Sequence, residues 1–261
     1  RYDSKVVLQI GDSGSQSVVA PRRGYRPLSP SMVKKEWVNF DAEMKASTTG
    51  KGTAEFKVNT VTMEAEEITE DEIYGAIQAY GQAARRVREA GFDGVQFHGG
   101  HGYLISQFAS PATNRRKDIW GGSLENRMRF ILSSYEAVRG AVGQDYPVMI
   151  KLGVADQASG GLPLSEGVQM AKRLAQAGID AIEISEGVEQ EPAQHIKAGV
   201  DSREKEAYYL DWAREVRREV NIPLFLVGGL RSYDIMERIV TEGVADCVSL
   251  CRPFIREPHL V

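Results

Sequence analysis

Apolar residues along the chain gather into short runs, opening at Val6, Val95, Val148, Ala181, Leu224 and Cys247. Between the runs lie longer stretches in which apolar residues recur every three or four positions, as Ala79, Ala83, Ala84 and Val87 do. The pattern predicts strands over 5–10, 94–98, 147–152, 181–185, 223–227 and 246–250. It predicts helices over 69–90, 123–142, 164–177, 203–219 and 232–242. The strands after the first are short and apolar on both faces, and helices separate them. That is the signature of parallel βα units, whose strands are covered on both sides.

Punctuation supports these boundaries. Ala90-Gly91-Phe92-Asp93-Gly94-Val95 is echoed by Ala177-Gly178-Ile179-Asp180-Ala181-Ile182, and more loosely by Glu242-Gly243-Val244-Ala245-Asp246-Cys247. Each copy reads as a helix ending at a left-handed Gly, then a turn residue, then a strand. Asp145-Tyr146-Pro147 and Asn221-Ile222-Pro223 open two further strands, where proline is tolerated. Thr69-Glu70-Asp71-Glu72 is a capping-box start. The expected fold is α/β, a (βα)8 barrel forming one domain over 1–261. A doubly wound open sheet is the alternative, weakened because no G-x-G-x-x-G follows any strand. Residues 11–66 lack a sustained helical period and read as a long excursion, with a short hairpin near 55–62.

Composition narrows the class. The chain has 261 residues, 42% apolar and 26% charged, which fits a globular protein rather than a disordered one. A net charge of −4 argues against a general nucleic-acid partner. No apolar run reaches the roughly 18 residues needed to span a bilayer. Two cysteines, Cys247 and Cys251, cannot staple a chain this long, so a reducing cytoplasm is expected. Arg1-Tyr2-Asp3-Ser4 shows neither an initiator Met nor a signal peptide.

In a (βα)8 barrel the chemistry sits at the C-terminal ends of strands. Those ends supply Gln9, then His98 followed by Gly99-Gly100-His101-Gly102-Tyr103, then Lys151, Ser185, Val227-Gly228-Gly229 and Cys251-Arg252. The last two loops resemble an anion site. Gly228 and Gly229 let backbone N–H groups approach a phosphate, and Arg252 adds a charge-assisted contact. The bland reading of Gly-Gly is a tight turn. Lys151 inside an apolar run either faces a bound anion or snorkels to the rim. His98 and His101 read as ordinary loop residues, as a zinc pair lacking a carboxylate at ligand spacing, or as two imidazole donors to a carbonyl with Tyr103 as proton donor.

The long ungapped segment from His98 to Arg127 closely resembles the signature of the old yellow enzyme family of FMN-dependent ene-reductases. It runs through Gln107, Ser110-Pro111, Asn114, Arg116, Asp118, Trp120-Gly121-Gly122 and Glu125-Asn126-Arg127. The resemblance implies a TIM barrel of which strands three to eight are present. It implies FMN held by Gln9 at the pyrimidine, by Lys151 near flavin N1, and by Val227, Gly228, Gly229, Cys251 and Arg252 at the phosphate. NADH or NADPH would reduce the flavin, and an α,β-unsaturated carbonyl compound would reoxidise it. His98 and His101 would polarise the carbonyl, and Tyr103 would protonate Cα. Lys151 would favour the anionic reduced flavin.

Three positions depart from the family pattern: Trp120 stands where Tyr is usual, Asp12 where His is common, and Cys251 where Gly is usual. Family barrels begin two βα units earlier, so the chain is expected to be a piece of a longer one. The alternatives are the barrel domain of a larger FMN/iron–sulfur reductase of the dienoyl-CoA reductase type, and a metal-dependent barrel hydrolase using His98 and His101. A 4Fe–4S cluster is expected only where a further C-terminal segment supplies cysteines. The implied partner is a small enone, with no nucleic acid and no membrane, and the reading is compatible with a homo-oligomer.

Overall fold

The repeated turn does what its residues predict. Gly91, Gly178 and Gly243 take left-handed φ values of 83°, 99° and 69°. The aspartate that follows each one also ties strands together. Asp93 Oδ2 accepts Val6 N–H at 2.8 Å, Asp180 Oδ2 accepts Val148 N–H at 2.7 Å, and Asp246 Oδ2 accepts Leu224 N–H at 2.8 Å. Each aspartate thereby joins the start of the strand it opens to the start of the strand beside it. The Leu224 N–H bond, with Arg217 adding to it, holds the Asp246 carboxyl below the usual range.

The computed structural model describes residues 3–17, 24–44, 54–189, 197 and 199–260. In chain order its strands are β1 (Val7–Ile10), β2 (Leu28–Ser29), β3 (Val33–Met44), β4 (Ala54–Glu67), β5 (Gly94–Gly99), β6 (Val148–Gly153), β7 (Ala181–Ser185), β8 (Leu224–Leu226) and β9 (Cys247–Val248). The helices are α1 (Glu70–Glu89), α2 (Leu104–Ala109), α3 (Leu124–Val142), α4 (Leu164–Ala177), α5 (Leu210–Arg217), α6 (Tyr233–Thr241) and α7 (Arg252–Arg256).

One sheet of six parallel strands runs in the order β1-β5-β6-β7-β8-β9. Each strand of it lies beside the next one in the chain. A doubly wound sheet starts in the middle and reverses, so the order is that of successive βα units of a (βα)8 barrel. The two faces differ as a barrel wall requires. Val95, Phe97, Ile150, Leu152, Ile184 and Leu226 are fully buried under the helices. Their neighbours Gln96, His98, Met149, Lys151, Phe225 and Val227 face inward and are half-buried. Among the described residues no helix is long and apolar enough to cross a membrane.

The helices form for local reasons. Thr69 and Glu72 complete the expected capping box, with Thr69 N–H donating to Glu72 Oε2 at 2.9 Å and Glu72 N–H to Thr69 Oγ1 at 3.3 Å. Ser123 Oγ accepts Asn126 N–H at 3.3 Å and starts α3. The buried stripe Ile73, Ile77, Tyr80 and Ala84 of α1 faces the core beside Phe130 and Ile131 of α3. Phe108 stacks on Phe130 with ring centroids 4.3 Å apart.

Several expectations need correction. The last two strands are shorter than predicted, at three and two residues, and the positive φ values of Gly228 and Gly229 turn the chain just after β8. The helix expected over 203–219 divides into a 3-10 turn at Arg203–Lys205 and α5, with Ala207 at φ 51° breaking the run between them. The hairpin near 55–62 is much longer. β3 and β4 pair antiparallel from Val33↔Ala65 to Met44↔Ala54, and β2 extends the group to three strands. A two-residue alternation from Val38 to Met44, with polar Asn39, Asp41 and Glu43 between, is the strand signal that the neighbouring charges obscure. Arg1, Tyr2, residues 18–23 and 45–53 of the expected excursion, and Val261 lie outside the described residues.

Candidate functional site

The loop after β5 is held in one shape by hydrogen bonds from three directions. His101 adopts φ 55°, a conformation uncommon outside glycine. Its N–H donates to Glu186 O at 2.9 Å, and Gln16 Nε2 donates to its carbonyl at 3.0 Å. Ser185 Oγ lies 2.8 Å from His101 Nε2. Gln16 also donates to the Gly102 carbonyl, and a Cβ at Gly102 would stand 2.5 Å from Gln16 Nε2. The left-handed φ of 67° at Gly102 favours glycine, and a side chain there would also push Gln16 off its two carbonyls. Ser106 Oγ donates to Gly100 O at 2.9 Å, and Gln107 Nε2 to Gly102 O at 2.6 Å. Backbone strain maintained by so many contacts is a mark of functional loops.

The loop brings the three predicted residues together. The His98 and His101 rings meet edge-on with centroids 5.1 Å apart, and the Tyr103 ring stacks on His98 at 4.3 Å. Gly100 N–H donates to His98 Nδ1 at 3.3 Å. An imidazole nitrogen that accepts carries no proton, so in neutral His98 the proton sits on Nε2. Tyr103 is the N-cap residue of α2, so the helix start fixes its backbone, and the stack on His98 orients its ring.

Below this loop the barrel interior is polar. Lys151 Nζ donates to Glu183 Oε1 at 2.8 Å, Gln96 Nε2 to Glu183 Oε2 at 3.0 Å, and Gln9 Nε2 to Gln96 Oε1 at 2.6 Å. Lys151 is therefore neither a rim lysine nor an isolated charge. Its side chain is 14% exposed and paired with one 11% exposed. Glu183 and Gln96 escaped the reading of the sequence. A lone carboxylate in the doubly buried run Ala181-Ile182-Glu183-Ile184 was the available signal.

The predicted phosphate residues line a cavity of about 760 Å³ with Val227, Gly228, Gly229, Cys251 and Arg252 on its wall. Gly228 and Gly229 have φ 131° and 67°, and a Cβ on either would stand 3.0 or 2.9 Å from the Tyr208 ring. The turn thus presents bare backbone where side chains cannot go, which fits a phosphate cradle. Four arginines face three carboxylates around the cavity. Arg252 Nη1 donates to Lys197 O at 3.0 Å. The turn that leads into α6 is tied to Glu206. Glu206 accepts Arg231 N–H and Ser232 N–H, each at 2.8 Å, and Ser232 Oγ–H at 2.7 Å. Burial works to raise the Glu206 carboxyl, and these bonds outweigh it and hold it low. Burial pushes the Tyr208 and Cys247 groups up.

Among the described residues no three His, Cys, Asp or Glu side chains gather as a metal site, so His98 and His101 have no third ligand of that kind there. Their neighbours Tyr103 and Ser185 suit hydrogen bonding instead.

The chain has relatives among known proteins. The model of the NADH:flavin oxidoreductase / NADH oxidase family matches residues 1–261. An NADH oxidase of Thermoanaerobacter brockii is 35% identical over 258 residues, 99% of this chain and 36% of the relative. An NADPH dehydrogenase of Geobacillus sp. is 38% identical over 198 residues, 76% of this chain and 55% of the relative. The chain thus spans between about a third and about half the length of these relatives. Among solved structures, the old yellow enzyme homologue from Zymomonas mobilis covers 98% of this chain and is itself covered to 65%, at TM-score 0.73 and 25% identity. Morphinone reductase in complex with tetrahydroNAD covers 99% and is covered to 64%, at 0.71 and 26%. A 2-naphthoyl-CoA reductase complex covers 76% and is covered to 30%, at 0.70 and 34%.

Proposed function

The chain belongs to the NADH:flavin oxidoreductase / NADH oxidase family, and from that premise we propose that the full-length protein is a cytoplasmic oxidoreductase that passes hydride from NADH or NADPH, via FMN, to the activated C=C bond of α,β-unsaturated carbonyl compounds. The observation that carries the reading is the convergence of His98, His101 and Tyr103 in one strained loop.

Each side chain has a role suited to its geometry. His98 presents its Nε2–H, and His101, steadied by Ser185, stands beside it. Two N–H donors at one carbonyl oxygen stabilise the enolate-like charge that develops there. Removing one such donor typically costs about 10²–10³ in rate. The Tyr103 phenol donates its proton to Cα and regains one from water. Gln9 and Lys151 hold the flavin ring from the barrel interior. Gly228, Gly229 and Arg252 hold its phosphate, with Val227 and Cys251 contributing backbone.

The test is the visible absorption spectrum of the purified full-length protein. A flavin spectrum that bleaches with NADH or NADPH and returns with an enone supports the reading. A colourless protein, or bleaching that no enone reverses, overturns it. A second reading is the barrel domain of a larger FMN/iron–sulfur reductase of the dienoyl-CoA reductase type; the likeness to a 2-naphthoyl-CoA reductase of which this chain covers 30% supports the larger size and a CoA-linked substrate. Iron and labile sulfide in the same preparation would favour it.

A further inference from the structure

Gln9, Gln96, Glu183 and Lys151 form one hydrogen-bonded chain, and the carboxylate sets its direction. An ionised carboxylate accepts and has nothing to donate. Glu183, buried at 8% exposure, therefore takes N–H groups from both neighbours: Lys151 Nζ at 2.8 Å and Gln96 Nε2 at 3.0 Å. The Gln96 amide is fixed by that bond, which leaves its Oε1 to accept from Gln9 Nε2 at 2.6 Å. The Gln9 amide is fixed in turn, with its own Oε1 turned away from Gln96. An amide orientation that is ordinarily ambiguous is here settled by charge.

The chain crosses four strands. Gln9 stands on β1, Gln96 on β5, Lys151 on β6 and Glu183 on β7. Gln96 and Glu183 come from alternate strands, the arrangement that layers a barrel interior. Its two ends, Gln9 and Lys151, are the residues assigned to the flavin. A buried ion pair stripped of one partner leaves an uncompensated charge, so Lys151 and Glu183 act as a unit.

We propose that Glu183 is the positioning residue of the flavin-facing interior: it orients Lys151 directly and Gln9 through Gln96, and its negative charge limits how strongly Lys151 favours reduced flavin. The inference rests on the flavin reading above. Reduction adds negative charge to the flavin. Lys151 attracts that charge and Glu183 opposes it. Removing the Glu183 charge without removing its shape leaves Lys151 unopposed.

The experiment measures the two-electron reduction equilibrium of bound FMN in the full-length protein, against a dye of known potential, with FMN affinity alongside. Glu183→Gln is expected to shift the equilibrium about tenfold toward reduced flavin, about 30 mV for a two-electron couple. In a Lys151→Met background the Glu183 carboxyl, buried without a cation, is expected to be neutral, so the same substitution should shift the equilibrium less than threefold. An FMN-loaded Glu183→Gln protein whose equilibrium moves less than twofold overturns the inference, as does an equal shift with and without Lys151. Gln96→Leu keeps the proposal falsifiable should Glu183→Gln not fold. It is expected to weaken FMN binding about tenfold while the reduction equilibrium stays within twofold, and unchanged affinity overturns the relay to Gln9. Wild-type protein that takes up no FMN overturns the flavin reading and this inference with it. FMN-loaded wild type with an unmoved variant overturns the inference alone.

Discussion

The Tyr103 phenol lies nearly flat on the His98 imidazole, with centroids 4.3 Å apart and planes inclined by 22°. The contact uses the faces of both rings, and a phenylalanine ring offers the same face. Packing and chemistry are therefore separable at this residue.

Tyr103→Phe keeps the ring and removes only the hydroxyl. Flavin reduction by NADH or NADPH should stay near the wild-type rate, because no phenol proton is needed there. Reoxidation by an enone should slow by about 10²–10⁴, the usual loss for a general acid. Stopped-flow traces of the two half-reactions check this. Equal slowing of both would instead assign Tyr103 to cofactor positioning.

His98→Ala and His101→Ala should each weaken binding of a phenol ligand, whose oxyanion stands where the substrate carbonyl would. The rings are edge-on at 5.1 Å, close enough to serve one oxygen. The double variant should then lose less than the sum of the singles, since groups sharing a partner are coupled. Ser185→Ala removes the 2.8 Å contact to His101 Nε2 and should reproduce part of the His101 effect. Charge-transfer titration reads all four proteins, and strict additivity would show that the histidines serve different atoms.

The sequence and the structure agree where one residue type has one physical solution. The glycines of the three repeats must take left-handed φ, and Thr69 with Glu72 can satisfy each other only as a capping box. The triad was legible because the segment from His98 to Tyr103 is contiguous. The polar interior was not, because Gln9, Gln96, Lys151 and Glu183 meet only through strand register. Glu206 was hidden for the same reason, as it reaches the start of α6 from another loop. The 3-10 turn at Arg203–Lys205 escaped because a polar segment of helical composition conceals the break at Ala207.

Acid should loosen the segment that follows the triad. Asp118 accepts Arg116 Nε at 3.0 Å and Trp120 N–H at 3.0 Å. The Arg116 hydrogen bonds, working against burial, hold its carboxyl below the usual range. A depressed pKa contributes stability that is present above the unfolded value of about 3.9 and lost as pH falls through the folded one. Asp118→Asn should therefore cost about 0.5–1 kcal/mol at pH 7, a size limited by solvent screening of the half-exposed carboxylate. The deficit should shrink toward pH 3. Urea unfolding of the full-length protein at both pH values checks the sign, and a deficit that grows in acid would overturn it.

The cavity beside Gly229 separates a charge effect from a backbone effect. Arg252→Ala removes a charge-assisted donor and should weaken FMN binding by about 1.5–3 kcal/mol. That loss should fade in high salt, because screening weakens a partly exposed charge. Gly229→Ala acts otherwise. Its Cβ would stand 2.9 Å from the Tyr208 ring, and its φ of 67° disfavours any L side chain. The left-handed conformation alone costs about 1–2 kcal/mol, and salt does not change it. Tyr208→Leu in the Gly229→Ala background relieves the clash and leaves the strain, so it should restore affinity only in part. Fluorescence titration of FMN at two salt concentrations distinguishes the variants. A salt-dependent loss in Gly229→Ala, or full rescue by Tyr208→Leu, would mean that the turn is a spacer rather than the phosphate cradle.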